Sequence, residues 1–356
     1  MQFGSDNQSG ASSQVLEMLT IANTGNTHGY GDDQWTKQAV DALKNIFDKD
    51  LDAFFVSTGT ASNCLALSCL VQPWDTILCH HHAHTIIDES TAPEYFTGGA
   101  RMIPVSKGAG KITPEHLEAY FQKAGDDIPH NSQAGALSIA QASEAGLVYT
   151  PEEIKALCTL AKNKGLQVHM DGARFANALV KMKCTPAELT WKSGVDVLSL
   201  GATKCGALCA EAVIFFNREL AKTFIHRRKR SGHLISKGRL FGAQFVGWLK
   251  DNHWLELAKH ANSQATQLAE VLDSIEGLQM VWPTQSNEIF LTMPQKLVNK
   301  LQEAGAEFYE WYPEALPPNF ELAEDDAFVR LVTSFATEDS HRIEFCDLIK
   351  EYYSAQ

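Results

Sequence analysis

Leu166-Gln167-Val168-His169-Met170-Asp171-Gly172-Ala173-Arg174 is a short apolar run that ends on a carboxylate, a glycine and an arginine. Open α/β sheets collect their ligands outside the carboxyl ends of their strands, so a strand ending on Asp171 points that carboxylate at a bound molecule. On either side, apolar runs recur at 53–57, 76–81, 101–105, 136–141, 196–200 and 211–216, and amphipathic stretches separate most of them. Strand and helix therefore alternate. This predicts an α/β fold with a mostly parallel seven-stranded sheet covered by helices on both faces. The run at 211–216 is the candidate for an antiparallel intruder, because residues 201–210 leave little room for a crossover helix.

Beyond about residue 247 the texture changes. A long helical segment at 254–275 is followed by strand-like runs at 278–282, 288–293, 306–312 and 328–332, and by a closing helix at 340–353. We expect a large domain over 1–247, including an N-terminal segment that reaches the site, and a smaller C-terminal α+β domain over 248–356. No internal repeat or low-complexity tract interrupts the chain.

Composition narrows the function. A formal net charge of −13 argues against long-range attraction to nucleic acid or an anionic membrane, which leaves small solutes as partners. The first residues lack a basic, then apolar, leader pattern, and the eight cysteines lack the spacing of a disulfide scaffold. A cytoplasmic protein is expected.

Two further motifs accompany Asp171. Ser57-Thr58-Gly59-Thr60-Ala61-Ser62 follows one strand and opens a helix, where backbone N–H groups and hydroxyls converge; it is either a phosphate cup or a plain N-cap. Ser199-Leu200-Gly201-Ala202-Thr203-Lys204-Cys205-Gly206 sets a lysine among small residues just past a later strand. An anion cup, an acid at a strand end and a lysine after a later strand are what pyridoxal phosphate needs: a phosphate site, a partner for its ring nitrogen and an amine for the Schiff base. Asp171 has a rival role as a helix cap, and Arg330 as an ion-pair partner.

The chain resembles the low-specificity L-threonine aldolases of the β-eliminating lyase family, which have the aspartate-aminotransferase-like fold type I of pyridoxal-phosphate enzymes. The matching segments are Gly4-Ser5-Asp6, Tyr30-Gly31-Asp32-Asp33, Ser57-Thr58-Gly59-Thr60 with Asn63, Ala83-His84, Asp171-Gly172-Ala173-Arg174, Thr203-Lys204, Arg228-Lys229 and Val329-Arg330-Leu331-Val332-Thr333. The resemblance implies that Lys204 carries the cofactor, Asp171 pairs with its ring nitrogen and His84 stacks on the ring and serves as the base. It assigns Thr58, Gly59, Thr60, His84, Gln141, Asp171, Arg174, Thr203, Lys204, Lys229 and Lys237 to the cofactor. To the substrate it assigns Ser5, Tyr30, Arg174 and Arg330, arginine being suited to a carboxylate by its planar fork. It also implies a homo-oligomer, commonly a homotetramer, with Tyr30 and residues 229–237 reaching a neighbour's site. The implied reaction cleaves L-threonine, L-allo-threonine or a phenylserine-like acid to glycine and an aldehyde.

Two segments depart from the family pattern. Glu144 stands where many relatives carry a histidine that approaches the substrate hydroxyl, which leaves the threo or erythro preference and the identity of the base open. Lys237 stands where they carry a phosphate-binding arginine. The rival activities are another lyase or racemase reaction with the same cofactor, a silent binding protein, and a metal enzyme built on His80-His81-His82-Ala83-His84. The last is disfavoured because consecutive strand residues point to opposite faces, and no metal is expected.

Overall fold

A computed structural model describes residues 1–106, 108, 110–125 and 128–355. Among them, β1 (Asp52–Val56), β2 (Thr76–Cys79), β3 (Arg101–Pro104), β4 (Ala134–Ala140), β5 (Gln167–Gly172), β6 (Val197–Gly201) and β7 (Glu211–Phe215) form one seven-stranded sheet in the order β1-β7-β6-β5-β4-β2-β3. Strands β2 to β6 pair in parallel, and β7 runs antiparallel to both β6 and β1. The expected antiparallel strand therefore exists, and it lies inside the sheet rather than at its edge. The nine residues between β6 and β7 hold a single 3-10 turn, Thr203–Cys205, and no crossover α-helix, so the chain can only double back.

The helices are α1 (Ser13–Ala22), α2 (Gln34–Phe47), α3 (Gly59–Ser68), α4 (His84–Ile87), α5 (Ala92–Thr97), α6 (Pro114–Lys123), α7 (Pro151–Asn163), α8 (Phe175–Met182), α9 (Phe224–Arg230), α10 (Arg239–Leu249), α11 (His253–Asp273), α12 (Gln295–Glu303) and α13 (Asp339–Ser354). Helix α7 shows why such segments start where they do. Pro151 is pre-set for the first turn, and the Thr150 hydroxyl accepts from the Glu153 N–H at 3.2 Å while Glu153 accepts from the Thr150 N–H at 2.8 Å. Helix α10 was not anticipated. Its sequence, Leu240-Phe241-Gly242-Ala243-Gln244-Phe245-Val246-Gly247-Trp248-Leu249, is apolar almost all round and carries no amphipathic period, as suits a helix buried on most faces. Its glycines set its depth: a Cβ on Gly242 would lie 2.4 Å from the Thr36 amide nitrogen of α2, and one on Gly247 3.0 Å from the Gln14 carbonyl of α1.

A second sheet, β10-β11-β9-β8, is built from β8 (Gln279–Met280), β9 (Glu288–Pro294), β10 (Tyr309–Glu310) and β11 (Asp326–Val332), all antiparallel. It encloses its own core of Ile289, Leu291, Leu297, Leu301, Val329, Leu331 and Phe345. Helix α11 joins the halves: Trp254 and Ala258 belong to the first core, and Ala265, Leu268 and Leu272 to the second.

The N-terminal segment departs from its expected place in the large domain. Phe3 is fully buried in the second core, its N–H donates to the Glu307 carbonyl at 2.8 Å, and its carbonyl accepts from the Val332 N–H at 2.8 Å. Sinking one phenylalanine is worth about 2–3 kcal/mol. By Ser12, whose N–H donates to the Gly206 carbonyl at 2.9 Å, the chain has crossed to the first core. The first dozen residues thus strap the two halves together. Among the described residues no helix is long and apolar enough to cross a membrane.

Candidate active site

The carboxyl ends of β4, β5 and β6, the start of α3, the strap and the small sheet enclose a cavity of about 700 Å3. Ser5, Thr58, Gly59, Thr60, His84, Asp171, Arg174, Thr203, Lys204 and Arg330 all line it. Residues spread over more than three hundred positions meet there because β5 and β6 are adjacent and end together. Gly201 makes that approach possible, since a Cβ on it would sit 2.7 Å from the Ala173 Cα and carbonyl oxygen. The Lys204 turn therefore lies against the Asp171–Arg174 turn.

At the α3 end, the Thr58 hydroxyl caps the helix by accepting from the Ala61 N–H at 3.1 Å. A Cβ on Gly59 would meet no atom within 4 Å, so the backbone here faces open cavity. The buried Ser62 hydroxyl at the same helix end has no partner among the described residues. An uncrowded helix N-terminus with a spare hydroxyl suits an anion.

Asp171 is held by two donors. Oδ2 accepts from Asn63 Nδ2 at 2.8 Å and Oδ1 from the Ala173 N–H at 3.0 Å, so its position does not depend on a ligand. Asn63 Nδ2 also reaches Glu89 Oε1 at 3.0 Å, and the same Glu89 oxygen lies 2.9 Å from His84 Nδ1. Glu89, whose side chain is wholly buried, therefore fixes the imidazole through Nδ1. The hydrogen bond to Glu89 raises the His84 pKa against the opposing effect of burial, and the charges of Asp171 and Glu89 add to the rise. His84 is thereby biased toward imidazolium.

On the opposite wall, Arg174 is already engaged. Its Nε and one terminal nitrogen meet the two oxygens of Asp6 at 2.8 and 3.1 Å, and the other terminal nitrogen meets Glu288 Oε1 at 3.2 Å. Asn287 Nδ2 supports Asp6 at 3.0 Å. Arg330 stands 3.8 Å from Glu288, stacks 3.9 Å above the Trp311 ring and leaves its Nε without a partner among the described residues. Two guanidiniums and two carboxylates thus form a neutral buried cluster, and the open donor edge belongs to Arg330. Burial pushes the Asp6 pKa up, but the charges of Arg174 and Lys204 and its hydrogen bonds outweigh this and hold it below the ordinary carboxylate value.

Four expected site residues do not reach the cavity of this chain. Gln141 is fully buried and its amide is spent: Nε2 donates to the Tyr149 carbonyl at 2.8 Å and Oε1 accepts from the Tyr149 N–H at 3.0 Å. It pins the loop carrying Glu144 instead of touching a ligand. Tyr30 is 58% exposed, Lys229 Nζ lies 5.3 Å from the Tyr30 ring centroid, and Lys237 is exposed, all outside the cavity wall.

Conversely, Asp6, Glu89, Glu211 and Glu288 matter more than their sequence neighbourhoods suggested. Each is a buried acid, and Glu211 and Glu288 open strands that are otherwise mostly apolar. A carboxylate at such a place must have a partner, which is the signal that was available.

The architecture is that of fold type I of the pyridoxal-phosphate enzymes. Serine palmitoyltransferase of Sphingomonas wittichii shares it at 16% identity and a TM-score of 0.71, with 100% of this chain and 87% of that one covered. The description of the β-eliminating lyase family matches residues 2–295. The chain is 42% identical over 308 residues to the low-specificity L-threonine aldolase of Pseudomonas sp. (strain NCIMB 10558), covering 86% of this chain and 88% of that one. It is 25% identical over 304 residues to the enzyme of the same name from Saccharomyces cerevisiae, covering 83% and 76%. A threonine aldolase of Leishmania major superposes with a TM-score of 0.91 at 28% identity over 99% of both chains. The chain belongs to the β-eliminating lyase family, among its low-specificity L-threonine aldolases.

Proposed function

We infer that the protein is a pyridoxal-phosphate-dependent aldehyde-lyase that splits the Cα–Cβ bond of L-threonine, L-allo-threonine and related β-hydroxy-α-amino acids such as phenylserine, giving glycine and an aldehyde. The observation that carries this is a single cavity holding the Lys204 amine, the braced Asp171 carboxylate and the open edge of Arg330.

The residues present fit the cofactor. The α3 N-terminus with Thr58, Gly59, Thr60 and Ser62 would hold its phosphate, Asp171 its ring nitrogen and Lys204 its aldehyde carbon, with His84 over the ring. When bound, pyridoxal phosphate supplies a sink for the electron pair left at Cα when a bond there breaks. Asp171, kept in place by Asn63 and the Ala173 N–H, would favour a proton on the ring nitrogen of the bound cofactor. Arg330 and Ser5 orient the substrate by its carboxylate, and that orientation selects which bond at Cα is broken. Arg174, held by Asp6 and Glu288, serves as the rigid backing of that subsite.

Arg330→Leu is therefore expected to lower kcat/KM by about 10- to 100-fold, mostly through KM, as the loss of a charge-assisted hydrogen bond implies. Steady-state kinetics with L-threonine and L-allo-threonine check it. An unchanged KM would return the carboxylate to Arg174. The function itself is tested by following aldehyde release from L-threonine, L-allo-threonine and phenylserine in the cofactor-loaded protein. No release from any of them refutes it.

A cytoplasmic homotetramer completes the proposal. The eight unpaired cysteines suit a reducing compartment. That Tyr30, Lys229 and Lys237 lie outside this chain's own cavity supports a role for them at a neighbouring subunit's site.

A further inference from the structure

We propose that the Glu144 carboxylate takes the proton of the substrate β-hydroxyl as the Cα–Cβ bond breaks. The proposal rests on the aldolase assignment and goes beyond it by naming the base.

Glu144 lies in the loop after β4 that Gln141 pins, and it lines the cavity. Its Oε1 accepts the His84 N–H at 2.9 Å. Its Oε2 is shielded from solvent and has no partner among the described residues. Burying a carboxylate oxygen with no donor is unfavourable, and a cap for His84 alone would need only one oxygen. A substrate hydroxyl reaching this wall of the cavity would supply the missing donor.

The other groups around the cavity are less suited to accept. Both Asp171 oxygens already accept N–H groups. His84 Nδ1 is committed to Glu89, and its bias toward imidazolium makes it a donor. Glu288 lies against two guanidiniums. Glu211 accepts the Ala202 N–H at 2.9 Å and is bonded to Thr203. The titratable groups facing Glu144 are His84 of α4, Asp171 of β5, Cys79 at the end of β2 and Tyr149 beyond its own loop. Burial raises the Glu144 pKa to about 7; Asp171 adds to the rise, and the His84 and Glu144 N–H groups and the His84 charge oppose it. A base with that pKa is matched to neutral pH.

The step balances. The hydroxyl proton moves to Glu144 Oε2, the O–H pair becomes the second bond of the aldehyde carbonyl, and the Cα–Cβ pair stays with the amino-acid half. One proton then returns to Cα to give glycine, so none is consumed overall.

Glu144→Gln keeps the size of the side chain and an oxygen for the His84 N–H, so a purely structural role predicts nearly unchanged kcat. We expect instead a fall in kcat of about 10^2- to 10^4-fold with KM changed by less than about threefold, and loss of the acidic limb of the kcat/KM profile. Glu144→Asp is expected to recover part of the rate. Exchange of the Cα hydrogen of L-alanine with D2O, followed by NMR, needs no hydroxyl proton transfer and should persist in Glu144→Gln. A second readout needs no cofactor. A carboxyl whose pKa rises from 4.5 to about 7 on folding contributes stability below 4.5 and loses it as pH rises through 7. The Tm of the cofactor-free wild type should therefore fall relative to that of Glu144→Gln across this window. A near-normal kcat in Glu144→Gln, a parallel loss of alanine exchange, or a Tm difference independent of pH would each overturn the proposal. If the wild type exchanges alanine but releases no aldehyde, the aldolase assignment is what fails, and the proposal falls with it.

Discussion

Lys204→Ala is expected to abolish aldehyde release, by about 10^4-fold or more, while leaving the fold intact. Lys204 follows β6 in a turn that Gly201 presses against the Asp171 turn, and the lysine faces the cavity. Thr203 before it is anchored, its hydroxyl accepting from the Ala210 N–H at 3.2 Å, so truncating the lysine leaves the turn's own bond in place. The variant should still bind pyridoxal phosphate weakly through the α3 N-terminus and Asp171, but it should not develop the visible absorbance that the cofactor acquires on a protein lysine. Aldehyde assay, absorption spectrum and thermal denaturation together check this. A variant that keeps a tenth of the wild-type rate would show that another amine carries the chemistry.

The second large effect concerns stability. Arg174→Met should destabilise the protein by about 3–5 kcal/mol, the range found when one partner of a buried ion pair is removed. Asp6 and Glu288 are 2% exposed each, and Arg174 is the cation that touches both. Methionine matches the aliphatic stem, so the loss isolates the charge. Adding Asp6→Asn to Arg174→Met should recover part of the loss, because Glu288 still has Arg330 at 3.8 Å. Denaturation midpoints of the two single variants and the double variant form the test, and a simple sum of the single effects would mean that the residues are not coupled. The sign with pH is also fixed. Because Asp6 titrates below its ordinary 3.8, the stability it contributes is present above that value and is lost on acidification through its lowered pKa.

Much of this fold was legible in the sequence, for reasons particular residues make clear. Strands β1 to β7 announce themselves because each is a short, mainly apolar run in a covered sheet, and β7 gives away its direction because nine residues cannot make a crossover helix. Thr58, Asp171 and Lys204 are readable because each stands at, or just past, the carboxyl end of a strand. What stayed hidden depends on long-range partners. Nothing near Gln141 indicates that its amide closes on Tyr149, and nothing near Arg174 indicates that its charge is met by Asp6, 168 residues away. The strand order and the place of Phe3 in the second core are likewise set by packing between distant segments.

The strap of the first dozen residues bears on how the protein is born. Phe3 and Asp6 leave the ribosome early, yet the groups that seat them, Glu307 and Val332 for Phe3 and Arg174 and Asn287 for Asp6, are translated long afterwards. Chains emerge at about 5–20 residues per second, so this segment waits many seconds for its partners. The first core can condense while synthesis continues, but the carboxylate-binding wall is assembled only when β11 arrives. A nascent chain stalled between β6 and β11 would hold Lys204 and Asp171 and still lack Arg330 to orient an amino acid, so catalytic competence waits for the second sheet.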